Sequence, residues 1–478
     1  KMILAGWWDG TQVQGSTAGH VCLDIDTSNN TCNDKYKISD FYVLAPGNNI
    51  LSTVPQDGYA YNSGSSFSAP MVTGSLAILH QMWPYMKGEN LVKLVLDTAD
   101  KDITGYNVNI HGQGVLDLDE ATKPQGAIGI TTTGRVDGAT VGLNNTYYST
   151  GTGNAFSLSG IEVMVVDSYD KNYYIDLGST ISVKDTRKVS DNDMQMNGYH
   201  YLPHQSTYGS WSQGGKYDLG YMNFTMFSGE GGNGDFSTSI GKDFSLTDKL
   251  TFKTSVGTMS EQNTWLGNNS DGVLAVGKNN NTNFGQLGFE YKVGNNNFMF
   301  DFSQGTTDIN TRDNSLITGF SDITTQSYKL GWEKELENNN TFGLSFSVPT
   351  HIKDGTMELT VPKSVNLDGT VNYERIDSDM SGNTFEKDIG FYFTHKANDE
   401  LDSNFSIAAE YRQDISGIAG NDGVNIGFSY KKKLNLNCGF FIWKNPKCYN
   451  SDGSKKSYAS LYSGHKETTT ALALQDEK

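Results

Sequence analysis

Apolar residues recur along the first 125 positions in two rhythms. The runs MILAGWW (residues 2–8) and FYVLAP (41–46) are continuous, as the strands of a covered sheet are. Residues 66–83 and 88–98 instead repeat their apolar positions at three- and four-residue spacing, which gathers them on one face of a helix. The alternation of the two predicts an α/β segment over residues 1–125. From about Gly126 the helical period stops, and IEVMVVDSYDKNYYIDLGSTISV reads as two strands joined by a polar turn. A boundary is therefore expected near Lys123-Pro124, followed by a β-rich linker over 126–207.

Between residues 208 and 432 the period becomes two. In FGQLGFEYKV the apolar positions are Phe284, Leu287, Phe289, Tyr291 and Val293, with Gln286, Gly288, Glu290 and Lys292 turned the other way. The pattern returns at Phe298, Phe300 and Phe302, at Tyr328, Leu330 and Trp332, at Phe342, Leu344, Phe346 and Val348, at Phe405, Ile407, Ala409 and Tyr411, and at Val424, Ile426, Phe428 and Tyr430. About twelve strands of roughly ten residues are expected, arranged as successive hairpins with charges often on the non-apolar face. This predicts a mainly antiparallel β domain over 208–432, read as an outer-membrane-type β-barrel, with a soluble antiparallel domain as the competing arrangement. Residues 433–478 read as a polar tail. The fold class is thus multi-domain: a partial α/β segment followed by an antiparallel β region.

Composition narrows the partners. The 478 residues carry a net charge of −18, which repels nucleic acid. High Gly (53) and aromatics (12%) with only nine Pro suit a turn-rich β protein. No apolar run reaches the length of a spanning helix, which leaves a spanning barrel open. Cys22 with Cys32 and Cys438 with Cys448 are local pairs without CxxC spacing, and they read as disulfides of an oxidising compartment. The start at Lys1 without the features of a signal peptide gives the expectation that this is the later part of a longer chain.

The chemistry concentrates in GSSFSAPMVTG, Gly64 to Gly74. A nucleophilic serine must be exposed, within reach of a base and beside N–H groups aimed at the developing oxyanion. A helix start supplies unpaired N–H groups and a favourable dipole. Ser66 is expected at such a start, with Gly64 and Ser65 supporting the oxyanion and substrate side. Gly64 permits a close bend, Ser68 and Ala69 allow substrate and neighbouring helices to approach, and Pro70 falls in the first turn, where its missing N–H costs little.

Gly64-Ser65-Ser66-Phe67-Ser68-Ala69-Pro70 resembles the serine motif of the subtilases, Gly-Thr-Ser-Met-Ala-x-Pro, departing from it at Ser65, Phe67 and Ser68. Ala45-Pro46-Gly47 and Ile50-Leu51-Ser52-Thr53 are similar to the segments that lead to that serine, and Gly112–Thr122 to the Gly-x-Gly segment that closes the catalytic domain. The nucleophile elbow of α/β-hydrolases fails because Ser68 holds its last glycine position. The resemblance implies Ser66 as acyl-forming nucleophile and a polypeptide substrate. It also implies Asp, His and oxyanion Asn segments before the serine; KMILAGWWDG is similar to the strand that follows that Asn, so all three are expected upstream of Lys1.

Local histidines do not replace the base. His80 is fourteen residues along the same helix, about 20 Å away at 1.5 Å per residue, and His20 and His111 read as surface loop histidines. Asp24, Asp26 and Ser28, and Asp377, Asp379, Ser381, Gly382 and Asp388, are spaced like calcium loops, but the second ends in Asp rather than Glu and reads as a solvated turn. No cofactor is required; structural calcium, known in subtilases, is assigned to no residue.

A subtilase segment followed by alternating strands is similar to the autotransporter serine peptidases of Gram-negative bacteria. The implied protein is a serine endopeptidase at the outer membrane, the cell surface or secreted. The alternative is a non-enzymatic barrel or surface protein carrying an inactive peptidase remnant. The forty-odd residues after Lys432 depart from the family, whose barrels end on an aromatic residue, close to where Tyr430 stands.

Overall fold

The computed structural model describes residues 2–19, 25–26, 31–32, 37–143, 146–148, 158–183, 211–229, 234–337, 339–382, 384–396 and 403–432. The chain divides into two compact units. The first holds residues 1–144, 159–180 and 360–376, and the second holds 145–158, 181–359 and 377–478. Both cysteine pairs, apart from the backbone of Cys32, and the tail after Lys432 lie outside the described residues.

The first unit opens with β1 (Leu4–Trp8), which lies parallel to the Tyr42–Pro46 strand, Leu4 opposite Tyr42 and Trp8 opposite Pro46. Tyr42 to Ala45 are all buried, as the continuous apolar run requires of a strand covered on both faces. The expected helices form as α1 (Ser65–Met82) and α2 (Gly88–Asp97). Along α1 the buried positions are Ser68, Val72, Ser75 and Leu79, one per turn. Val43, Ala45, Val72, Val92, Leu96 and Ala99 form one core between sheet and helices, and Leu79, Trp83, Met86, Leu91, Leu94, Val95 and Ala121 form a second.

Two short helices follow, α3 (Val108–His111) and α4 (Leu118–Thr122), the latter capped by the Asp117 carboxylate, which accepts from Glu120 N–H. Beyond Lys123-Pro124 the chain continues in the same unit. Lys171, fully buried, donates its Nζ to the carbonyls of Ala121 at 2.8 Å and Lys123 at 2.6 Å, and lies 3.4 Å from Asp167. It therefore closes the end of α4 from the Glu162–Val166 and Asn172–Asp176 hairpin. Desolvation pushes the Lys171 ammonium below its usual range, against the pull of Asp167.

Among the described residues of the second unit eleven strands, Trp211–Asp218 through Gly423–Lys432, form one antiparallel sheet, where about twelve strands are expected. Among the described residues no pairing closes its first strand onto its last. Its polarity is inverted relative to a water-soluble sheet. Phe244, Phe252, Phe289, Phe300, Leu330, Phe346, Ile389, Tyr411 and Val424 are cross-strand neighbours in one unbroken row over nine strands. Most of that row faces outward: Leu330 is 51% and Ile389 56% exposed.

The opposite face is polar and covered, with Ser237, Thr282, Ser303, Thr307, Thr325 and Ser327 buried. One register step away from the apolar row runs Asp243, Lys253, Gly288, Asp301, Lys329, Ser347, Asp388, Arg412 and Gly423, charges alternating in sign with Gly or Ser between some of them. Phe284 belongs to this face: it is 4% exposed, and its even position sets it with Gln286 and Gly288 rather than with Leu287. The ring is accommodated by Gly257 opposite, where a Cβ would lie 2.5 Å from it.

Candidate active site

Ser66 is the second residue of α1 and is exposed. Gly64 precedes the helix at φ 146° and ψ 164°, a conformation that only glycine adopts without strain. Its N–H donates to the Gly47 carbonyl at 2.8 Å, and Gly47 N–H donates to the Trp8 carbonyl at 3.1 Å. The start of α1 is thereby fastened to the C-terminal ends of the two parallel strands, the edge where α/β sheets bind their ligands.

Phe67 N–H turns back onto the Gly64 carbonyl at 3.0 Å and no side chain caps the helix. The N–H groups of Ser65 and Ser66 are thus left without intrahelical partners, at the positive end of an 18-residue helix. Together they can receive negative charge on an oxygen placed before the helix.

The structure revises three expectations here. Ser68 faces neither substrate nor another helix: it is fully buried, and its Oγ donates to the Ala45 carbonyl at 2.9 Å. Its small size serves close helix–strand packing, since a Cβ at Gly47 would lie 2.4 Å from Ser68 Oγ, 2.8 Å from the Gly64 carbonyl and 2.8 Å from the Trp7 ring. Pro70 lies inside α1, at its sixth residue, so the missing N–H is the one that would have met the Ser66 carbonyl. His111 is no surface loop residue. It ends α3 with 7% exposure, accepts the Asn107 N–H on Nδ1 at 2.9 Å and stacks on Tyr106.

His80 is exposed on α1, as expected of a surface histidine, and His20 lies outside the described residues. Among the described residues the Ser66 hydroxyl has no side-chain hydrogen bond, and no group of three His, Cys, Asp or Glu side chains is placed to hold a metal. Asp24 and Ser28 lie outside the described residues. Asp379 instead takes the N–H and hydroxyl of Ser381 in a turn, and Asp388 is buried within the sheet. Sequence reasoning missed Trp7, whose indole N–H is buried beside Gly47 without an acceptor among the described residues; only its position in a covered strand hinted at it.

Part of this segment is similar to a known family. The subtilase family (peptidase S8) matches residues 23–123, the stretch that holds the Tyr42–Pro46 strand, α1 and α2. The chain is 29% identical over 120 residues to the extracellular serine protease of Serratia marcescens, covering 20% of this chain and 11% of that protein. It is 30% identical over 99 residues to the M-protease of Shouchella clausii, covering 20% and 25%. Over 60 residues it is 45% identical to the Neisserial autotransporter lipoprotein NalP of Neisseria meningitidis serogroup B, covering 12% and 6%. The chain therefore spans a quarter or less of these relatives. No helix among the described residues is long and apolar enough to cross a membrane.

Proposed function

We propose that the first unit is part of a subtilase-type serine endopeptidase and that the strand-rich unit displays it from an outer membrane as a β-barrel. The observation that carries the peptidase reading is the exposed Ser66 at the start of α1, fastened through Gly64 and Gly47 to the ends of two parallel strands.

In this reading Ser66 Oγ attacks the scissile carbonyl of a polypeptide and passes its proton to a histidine. The carbonyl oxygen gathers negative charge against the N–H of Ser66, with Ser65 and Gly64 shaping the approach. Collapse of the tetrahedral adduct releases the amine, which takes up that proton, and leaves an acyl-serine that water then hydrolyses. The histidine, its Asp and the oxyanion Asn are those that subtilases carry before their serine. The extracellular proteases and the autotransporter among the relatives support a secreted or surface location. No cofactor enters these steps.

The test is labelling of the native polypeptide by a fluorophosphonate, with Ser66→Ala as control. Stoichiometric labelling lost in the variant supports the reading; a folded protein that stays unlabelled overturns it.

The membrane part rests on the inverted polarity of the eleven-stranded sheet. A lipid-facing barrel needs an apolar outer band and tolerates a polar, charged lumen. Heat-modifiable gel mobility and dependence on detergent are expected; a detergent-free monomer with the same sheet overturns it.

A second reading, a surface protein carrying an inactive peptidase remnant, is favoured by the Ser66 hydroxyl having no side-chain partner among the described residues. It predicts the barrel signature without labelling.

A further inference from the structure

The first unit draws its third stretch of chain, residues 360–376, from the middle of the strand-rich sequence. This stretch is the tip of a hairpin, Thr356–Val365 and Val371–Asp379, turned at Asn366 to Thr370. The tip is bound along its length. Val136 N–H donates to the Gly369 carbonyl at 3.0 Å and Val371 N–H to the Gly134 carbonyl at 2.9 Å, which makes Arg135 and Thr370 an antiparallel bridge. Arg135 donates to the Asp368 carbonyl at 3.2 Å, Tyr373 to the Thr131 carbonyl at 2.9 Å and Lys363 to the Glu162 carbonyl at 2.8 Å.

Beneath these bonds Val365 and Val371, with Tyr85, cover the buried cluster of Val136, Met164 and Val166. Gly369 is at φ +84, and a Cβ there would stand 3.4 Å from both Arg135 and Val136 and 3.6 Å from Tyr85. The turn is built for this seat, since glycine alone combines that backbone with so close an approach.

We propose that the 360–376 hairpin tip is an intramolecular strap, which keeps the first unit bound to the rest of the chain even when the backbone between residues 183 and 211 is cut. The partner it fits is formed by residues 131–136 and 162–166 of the same chain, through an apolar patch rimmed by backbone carbonyls. The proposal needs neither the peptidase nor the membrane reading.

The experiment inserts a site for a specific protease between residues 183 and 211 of the full chain, purified in detergent. After complete cleavage the two fragments are separated by size-exclusion chromatography. Co-elution of the fragments is expected, with release at least tenfold greater when residues 364–372 are replaced by Gly-Ser-Gly. Separation of the cleaved parent, or equal retention by the shortened chain, overturns the strap.

A double variant, Arg135→Cys with Thr370→Cys, guards against a shortened chain that fails to fold. These residues form a non-hydrogen-bonded pair, with Cα atoms about 4.5 Å apart, which suits a disulfide. Mild oxidation is expected to join the cleaved fragments on a non-reducing gel, and neither single variant is expected to do so. No cross-link, with both thiols reactive in the denatured chain, overturns the proposal.

Discussion

Gly64 donates its backbone N–H to the carbonyl of Gly47 at 2.8 Å, and this bond sets where α1 begins relative to the strand ends. Gly47→Ala inserts a methyl against Ser68 Oγ, the Gly64 carbonyl and the Trp7 ring, all within 3 Å of the new atom. Overpacking of this kind costs about 1–3 kcal/mol. A lowered melting temperature is expected, together with fluorophosphonate labelling slowed at least tenfold, because the helix start and not merely the core is displaced.

Ser66 and Ser68, two residues apart, are expected to fail in opposite ways. Ser68→Ala removes the buried bond to the Ala45 carbonyl, a loss of about 1–3 kcal/mol. It should lower the melting temperature while labelling persists within a few-fold. Ser66→Ala should abolish labelling and leave the melting temperature in place. Thermal denaturation beside label stoichiometry separates the two.

Lys171→Met keeps most of the side-chain volume and removes the charge. It strands the carbonyls of Ala121 and Lys123 and leaves Asp167 without its buried cation. Breaking such a pair costs on the order of 3–5 kcal/mol. Loss of amide protection in α4 and in the Asn172–Asp176 strand, measured by hydrogen exchange, is the expected result.

Tyr42 gives the first unit an alkaline limit. Its hydroxyl donates to the Ser16 carbonyl at 2.7 Å, and burial pushes the phenol up to about 12 from 10. A raised folded value favours the neutral form. The stabilisation is therefore complete below pH 10 and is lost as pH rises through 12, on the order of 3 kcal/mol. Phenolate absorbance from this residue should emerge together with unfolding. Tyr42→Phe should be less stable than the parent at pH 7, and the gap should narrow by pH 11.5.

Leu330 stands mid-row on the apolar face, and Leu330→Arg distinguishes its surroundings. Against lipid, a charge near the bilayer midplane costs about 2–4 kcal/mol. Refolding into vesicles, followed by heat-modifiable mobility, should then fall sharply. A change within about 0.5 kcal/mol, the usual range for a watery surface, would refute lipid contact at that position.

Local signals were the legible ones. The three- and four-residue spacing of apolar positions over residues 66–83 places α1 to within a residue, and the run from Phe41 to Pro46 gives a covered strand, because each depends on neighbours a turn or a pleat away. The serine motif placed Ser66 at a helix start for the same reason. Phe284 departs from the apolar set of its strand because parity decides the face, and a glycine across the strand pair makes room for the ring. His111 reads as a loop residue in the sequence because a four-residue helix leaves almost no periodic trace. The seats of Lys171 on α4 and of the 360–376 hairpin on the first unit are not legible, since the carbonyls they meet lie about 50 to more than 200 positions away and no nearby pattern encodes them.

The hairpin has a temporal consequence. Tyr373 and Thr131, which it joins, are 242 positions apart. Ordering so long an intervening chain is entropically costly and slow. Until residue 376 has been made and docked, Val136, Met164 and Val166 lack the part of their cover that Val365 and Val371 supply. A nascent chain must therefore carry a sticky half-finished core while the residues between Val166 and Ile376 are made. Its survival in that interval depends on how quickly the late-arriving hairpin, rather than the early helices, finds its place.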